Sequence, residues 1–316
     1  MKTILACAVS SAVLGCVLLG STVSIHAQRA AASHPDLQGM WIGSTLTPLQ
    51  RPPEFKDRAA LTPAEAAEYT RTMPERIRSR FPTEADRLTQ ADVEDDYVET
   101  EVIALDGLRT SLIVDPPNGM LPPLLPAVQA RIAARPKRNY EDPEVFGLAE
   151  RCLLGNFGLG GSAASPPMVP SVVAAYYYQI VQNDDYVMIL AEWVHDARII
   201  RMNGTHPPAS VRKWLGDSIG HWEGATLVVD TTNFRPETHN LDSGERLHVV
   251  ERFTKVDANT LKYRVTVEDP DTWATPWTAE WPFKATDKKI FEMSCHEGNY
   301  AIENFLRGAR AEEQRK

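Results

Sequence analysis

The chain has 316 residues, enough for one large domain or two small ones, and its 43% hydrophobic and 24% charged residues are ordinary globular composition. A net charge of −9 without a basic stripe argues against a nucleic-acid partner. The 23 prolines, most of them before residue 210, predict long irregular connections in that part of the chain.

The amino terminus reads as a targeting segment. Lys2 precedes an apolar run from Ile4 to Ile25, and Ile25 and Ala27 suit signal peptidase, so residues 1–27 are set aside as a signal peptide. The mature protein is then expected to be periplasmic or secreted and to lack a stable membrane span. Val13-Leu14-Gly15-Cys16 also has the form of a lipoprotein cleavage box, but the chain stays apolar after Cys16, which makes lipidation the second choice. Removal of the signal leaves Cys152 and Cys295, a candidate disulfide in an exported chain.

Gly39-Met40-Trp41 opens the first apolar segment, and a G-x-W at a first strand resembles the lipocalin opening. Thr62, Pro63 and Glu65 form the start of a helix with a capping box, expected to stop at Pro74, with polar helical segments continuing to about Leu88. "ADVEDDYVETE" reads as a solvated acidic loop, since its spacing is not that of a calcium loop. A short strand is expected over Thr110–Val114, a helix in "PAVQARIAARP", and another from Asp142 to near Gly155. "GNFGLGGSAASPPMVPS" lacks the Lys-Ser/Thr of a phosphate-binding loop and the helix that follows a dinucleotide fingerprint; it reads as a loop whose backbone could line a pocket.

From Ala174 the texture changes to strands: "YYYQIVQ", "DYVMILAEWVH", "ARIIRM", the hairpin "GHWEGATLVVDTTNF", "LHVVERFTKV", "TLKYRVTVED", "TAEWPFKA" and "IFEMSCHEG", divided by turn signals. The fold class is therefore mainly β (α+β): an antiparallel, lipocalin-like meander or barrel with N-terminal helical segments flanking or capping it. The expected domains are the signal at 1–27, an extended and helical region at 28–173 packed on the barrel, and the barrel with a C-terminal tail at 174–316.

Alternation sorts the faces of the strands. Leu247, Val249, Glu251 and Phe253 share one face, so a carboxylate sits inside an apolar row. Polar groups set into apolar strand faces read either as buried structural pairs or as the few polar contacts of a small-molecule pocket, and the pocket reading leads. Its proton-moving candidates are His195, Asp230, Glu251, Glu268 and His296, with Asp230, His195, Glu251 and His296 expected to point inward. Arg151, Trp193, Arg198, His248, Arg252, Trp277 and Asn299 are the ligand-binding candidates, the arginines for an anionic group. His221 and Glu223 could present a metal with a third ligand, but no trusted ligand spacing is present, and their place beside the Gly224 turn puts them at a solvated rim. No metal and no other cofactor is expected.

The stretches "LQGMW", "RPPEF", "ERCLLGNFGLGGSAASPPMVPS", "EWVHDARIIRMNG", "WLGDSIGHWEGATLVVDTTNF", "LHVVERFTKVDANTLKYRVTVEDP" and "CHEGNYAIENFL" together resemble a family of exported proteins of soil and aquatic bacteria. The resemblance covers most of the mature chain and implies export, but the family has no established catalytic residues to transfer. The functional expectation is thus an exported binder of a small hydrophobic molecule, aromatic or terpenoid. Acid–base chemistry of lyase, isomerase or hydrolase type is its extension; a non-catalytic carrier or an envelope interaction protein is the alternative.

Overall fold

The structure is a computed structural model that describes residues 34–78, 106–134, 142–148, 151–154, 164–170, 177–236 and 242–315. The expected signal peptide, the continuation of the first helix beyond residue 78, the acidic loop and the glycines of 155–163 lie outside the described residues.

Ten strands form one sheet: β1 (Gly39–Ile42), β2 (Ile113–Asp115), β3 (Tyr177–Gln182), β4 (Tyr186–Ala191), β5 (Ala197–Met202), β6 (Asp217–Glu223), β7 (Thr226–Thr232), β8 (His248–Asp257), β9 (Thr260–Glu268) and β10 (Trp277–Ala285). β3 to β10 follow one another in sequence order, and β1 pairs with both β3 and β10, so nine strands close into a barrel. Closure leaves no long hydrogen-bonding edge to solvent. β2 adds to β10 beside the β1 seam, pairing at Thr278 and Ala279, whereas β1 pairs at Lys284 and Ala285. Pro282 falls between the two partners, where its missing N–H is tolerated. The sheet thus takes β1 and β2 from the region before residue 174.

The pairings are antiparallel with one exception: β5 and β6 run parallel, Ile200 beside Ser218. Two consecutive parallel strands cannot be joined by a tight turn, so residues 203–216 must cross back along the barrel. The β6–β7 hairpin forms as expected, with Gly224 at φ 58° in its turn, a left-handed conformation that glycine adopts without strain.

The strand alternation is realised over most of the barrel. β9 buries Leu261, Tyr263, Val265 and Val267 and exposes Lys262, Arg264 and Glu268, while β10 buries Trp277, Ala279, Trp281 and Phe283 on its inner face. Rings fill much of the interior: Tyr178 stacks on Phe283 at 5.2 Å, and Tyr263 lies 4.6 Å from Trp281 and 5.0 Å from Phe253. Each such side chain contributes about 1.5–3 kcal/mol of burial.

Three α-helices lie among the described residues: α1 (Pro63–Arg78), α2 (Pro126–Ala133) and α3 (Ala301–Glu313). The capping box at α1 is formed: the Thr62 N–H donates to Glu65 at 2.8 Å, and the Glu65 N–H to the Thr62 hydroxyl at 3.3 Å. α1 does not stop at Pro74 but runs through it to Arg78, with one i→i−4 bond forgone. It packs on its own small core of Leu46, Phe55, Leu61, Ala66, Tyr69 and Met73.

Two expectations are corrected. The helix from Asp142 is only a 3-10 turn at Pro143–Val145; Phe146 is already extended, and Cys152 has a left-handed φ of 52°. "IFEMSCHEG" is not a strand, and residues 286–295 run without regular structure before α3. Its apolar residues pack individually: Ile290 lies against Ile42 and Tyr177, and the Val194 N–H meets the Met293 sulfur. Cys152 and Cys295 are joined by a disulfide. No helix among the described residues is long and apolar enough to cross a membrane.

Candidate functional site

Among the described residues, one charged constellation lies in the barrel interior. β5 turns Arg198 inward, β8 Glu251 and β9 Tyr263, and all three are essentially inaccessible to solvent. The strand partners of Glu251 are Val229 and Val265, so the sheet beside it offers no counter-charge. The partner instead crosses the lumen. Arg198 donates through Nη1 to Oε2 at 2.7 Å and through Nη2 to Oε1 at 3.0 Å, a two-pronged contact that suits the planar guanidinium. Tyr263 donates its hydroxyl to Oε1 at 2.8 Å. Burial, then the Glu251 charge, push the Tyr263 phenol well above its ordinary value and more than offset Arg198, so the ring stays a neutral donor.

Residues 164–170 belong to this interior. Ala164, Ser165 and Met168 are buried. The Met168 N–H donates to the Tyr263 hydroxyl at 3.2 Å, and Arg198 Nη2 lies 3.7 Å from the Met168 sulfur. The second half of the Gly/Pro loop is thus packed onto the ion pair. Three buried donors of the barrel, Arg198 Nε and the indole nitrogens of Trp281, whose ring lies against Tyr263, and of Trp277, farther along β10 against Trp273, have no hydrogen-bond partner among the described residues. A buried donor left unmatched costs about 1–3 kcal/mol, so three together need an account.

A second constellation lies on the outer wall. His206, from the 203–216 connection, places Nδ1 2.9 Å from Asp217 and Nε2 2.9 Å from Asp230. Asp230 also meets His248 Nε2 at 2.7 Å, and His248 Nδ1 is 3.9 Å from Glu268. Arg201 and Lys213 donate to Asp217 at 2.6 and 2.5 Å. Burial raises the Asp217 carboxyl, but hydrogen bonds from Lys213, His206 and Arg201 outweigh it and hold the group below the ordinary carboxylate value. Asp230 behaves likewise: burial raises it, and His248 and His206 bring it down. His248 is raised, first by its hydrogen bond to Asp230, against the opposing effect of burial.

These directions fix a pH profile. The raised His248 contributes stability that is complete below the unfolded imidazole value of 6.5 and is lost as pH rises through its higher folded value. Asp217 and Asp230 contribute stability present above the unfolded carboxylate value of 3.8 and lost as pH falls through their lower folded values. The melting temperature is therefore expected to peak in mildly acidic buffer and decline on both sides. His248→Gln should flatten the alkaline limb; an unchanged alkaline limb in that variant would remove His248 from the account.

The sequence-derived candidates separate into distinct places. Glu251, Arg198 and Trp277 are inside the barrel. Asp230, expected inward, faces out, because alternation on β7 gives the interior to Leu227, Val229 and Thr231, the last bonded to Ser218 at 2.9 Å. His195, also expected inward, is exposed: β4 ends at Ala191, and the left-handed Val194 and His195 break the alternation that would have turned its ring in. His296 is exposed in the turn after Cys295, because its segment is not a strand. Glu268 and Arg151 are exposed, and Trp193 is half-buried against the core. His248 and Arg252 lie on the outer wall, Arg252 paired with Glu223 at 2.5 Å. Asn299 donates to the Cys152 sulfur at 3.2 Å beside the disulfide. His221 and Glu223 are exposed on the β6–β7 hairpin, 3.2 Å from each other, as their rim position predicts.

Tyr263, Met168, His206 and Asp217 escaped the sequence reading. Tyr263 fits an apolar row, and nothing local marks Met168 or His206 as the residue that reaches a carboxylate. Among the described residues no group of three His, Cys, Asp or Glu side chains is arranged to hold a metal ion. Comparison with known proteins finds no matching family model, no matching curated protein and no matching solved structure.

Proposed function

We propose that the protein is an exported binder of a small hydrophobic, aromatic molecule, taken into the barrel around Arg198, Glu251 and Tyr263. The observation that carries this reading is the set of unmatched donors, Arg198 Nε and the Trp277 and Trp281 indole N–H groups, in an interior made mostly of rings and aliphatic side chains. An aromatic molecule bearing acceptor groups would satisfy donors of this kind, and its ring would gain the stacking that the interior rings supply. The disulfide suits an oxidising compartment, which supports the periplasm or the exterior as the place of action.

Binding is favoured over turnover because Glu251, the one carboxylate inside the barrel among the described residues, is already committed to Arg198 and Tyr263. The other proton-moving candidates, Asp230, His195, Glu268 and His296, stand outside the barrel. Native mass spectrometry of the protein purified from the exported fraction tests the reading. A non-covalent adduct that is released on unfolding, and that is weakened in Trp281→Phe, is the expected result. Protein that is ligand-free and takes up no member of a panel of aromatic carboxylates and phenols would sink it.

A further inference from the structure

The outer-wall constellation is not used by the binding reading, and one residue in it has an unusual hydrogen-bond count. Both ring nitrogens of His206 lie 2.9 Å from a carboxylate oxygen, Nδ1 from Asp217 and Nε2 from Asp230. A neutral imidazole has one N–H and one lone pair. Both contacts are hydrogen bonds only while both nitrogens carry protons. With one proton gone, a lone pair faces a carboxylate at the same distance, and that contact becomes repulsive. Asp217 and Asp230 each keep other hydrogen-bonded cationic or imidazole partners, Lys213 and Arg201 for the first and His248 for the second.

The surroundings make His206 the point of control. Asp217 on β6 keeps Arg201 of β5 and Lys213, and Asp230 on β7 keeps His248 of β8, with Glu268 of β9 beyond. Both carboxylates therefore stay paired whether or not His206 is bound. The connection is less secure. Its second half is anchored by the Lys213 N–H to the Asn233 carbonyl and by Arg212 to the Phe234 carbonyl. Its first half is pinned at its start by the Asn203 N–H to the Gly220 carbonyl at 2.7 Å, and beyond that, besides His206, by Arg201 to the Thr205 carbonyl and Asn233 to the Pro207 carbonyl, each 3.1 Å. Pro208, Ala209, Ser210 and Val211 are exposed or nearly so.

We propose that residues 203–216 form a proton-operated strap: imidazolium at His206 clamps it across Asp217 and Asp230, and loss of one proton frees residues 204–211 while the barrel remains folded. The release uncovers the wall at Asp217, which is 1% exposed when the strap is down.

Hydrogen exchange read by mass spectrometry on the full chain tests this, with rates corrected for the intrinsic effect of pH. From mildly acidic to mildly alkaline buffer, peptides covering 204–211 should lose protection by about tenfold or more, as expected for a local opening, while β7–β9 peptides keep theirs. His206→Gln should hold the strap at one level of protection across the same range, and His248→Gln should retain the step. Three outcomes would overturn the proposal: wild-type 204–211 protection that does not change with pH, a step that persists in His206→Gln, or a step abolished by His248→Gln alone. The wild-type profile decides the matter even if a variant folds poorly.

Discussion

Glu251→Gln should destabilise the protein by roughly 3–5 kcal/mol, because it leaves the Arg198 charge buried without its counter-charge. The side chain it replaces is 0% exposed and Arg198 is 2% exposed, so solvent cannot take over the lost interaction. The substitution keeps shape and volume, so the loss reports charge rather than a cavity. The double variant Arg198→Met/Glu251→Leu should recover most of it, since apolar groups of similar volume often replace a buried ion pair without net loss. Urea denaturation of the wild type and the two variants reads the loss and its recovery. A Glu251→Gln midpoint within about 1 kcal/mol of wild type would mean that the pair is hydrated or rearranged, contrary to the contacts described here.

Removal of the disulfide should have the next largest effect. Cys152 and Cys295 are 143 residues apart, and the loop they close holds β3 to β10. The chain-entropy relation puts the stabilisation from closing so long a loop at about 5 kcal/mol at most. The tail it secures is otherwise held by scattered contacts, Ile290 on Ile42 and Tyr177, the Phe291 N–H to Glu192 and Phe305 against Phe146, while α3 has no buried residue and Phe291 and Tyr300 are 74% and 65% exposed. The double variant Cys152→Ser/Cys295→Ser is expected to keep the barrel folded, to lose about 3–5 kcal/mol against unfolding, and to free residues 286–315 for proteolysis. Equal protease resistance of that tail in the variant would show that it is held by packing instead.

The barrel was legible because its strands obey the simplest rule available. Tyr263, Val265 and Val267 on β9, and Val249, Glu251 and Phe253 on β8, alternate without interruption, and the turn residues between them are conventional. Legibility failed where alternation was broken by backbone conformation. Left-handed φ values at Val194 and His195 turned His195 outward, and a tail with no strand partner carried His296 to the surface. It failed again where the answer depended on contacts far apart in sequence. Alternation placed Glu251 in an apolar row, but the choice of Arg198 as its partner, 53 residues away across the lumen, is a property of closure. The parallel step from β5 to β6 is of the same kind. It sends a 14-residue connection over the outer wall and brings His206 to Asp217 and Asp230, and no local pattern in 203–216 announces it.

If the barrel interior receives an acceptor-bearing aromatic molecule, as proposed above, its buried indole N–H groups should respond to one. Proton–nitrogen NMR of the seven indole N–H groups, assigned with Trp277→Phe and Trp281→Phe, tests it most directly. On titration with aromatic carboxylates or with a co-purified molecule, the Trp277 and Trp281 resonances should shift together and saturate, while that of Trp214, which lies against Arg235 at 4.5 Å, stays in place. A ligand that saturates the protein and moves Trp214 but neither Trp277 nor Trp281 would contradict the account.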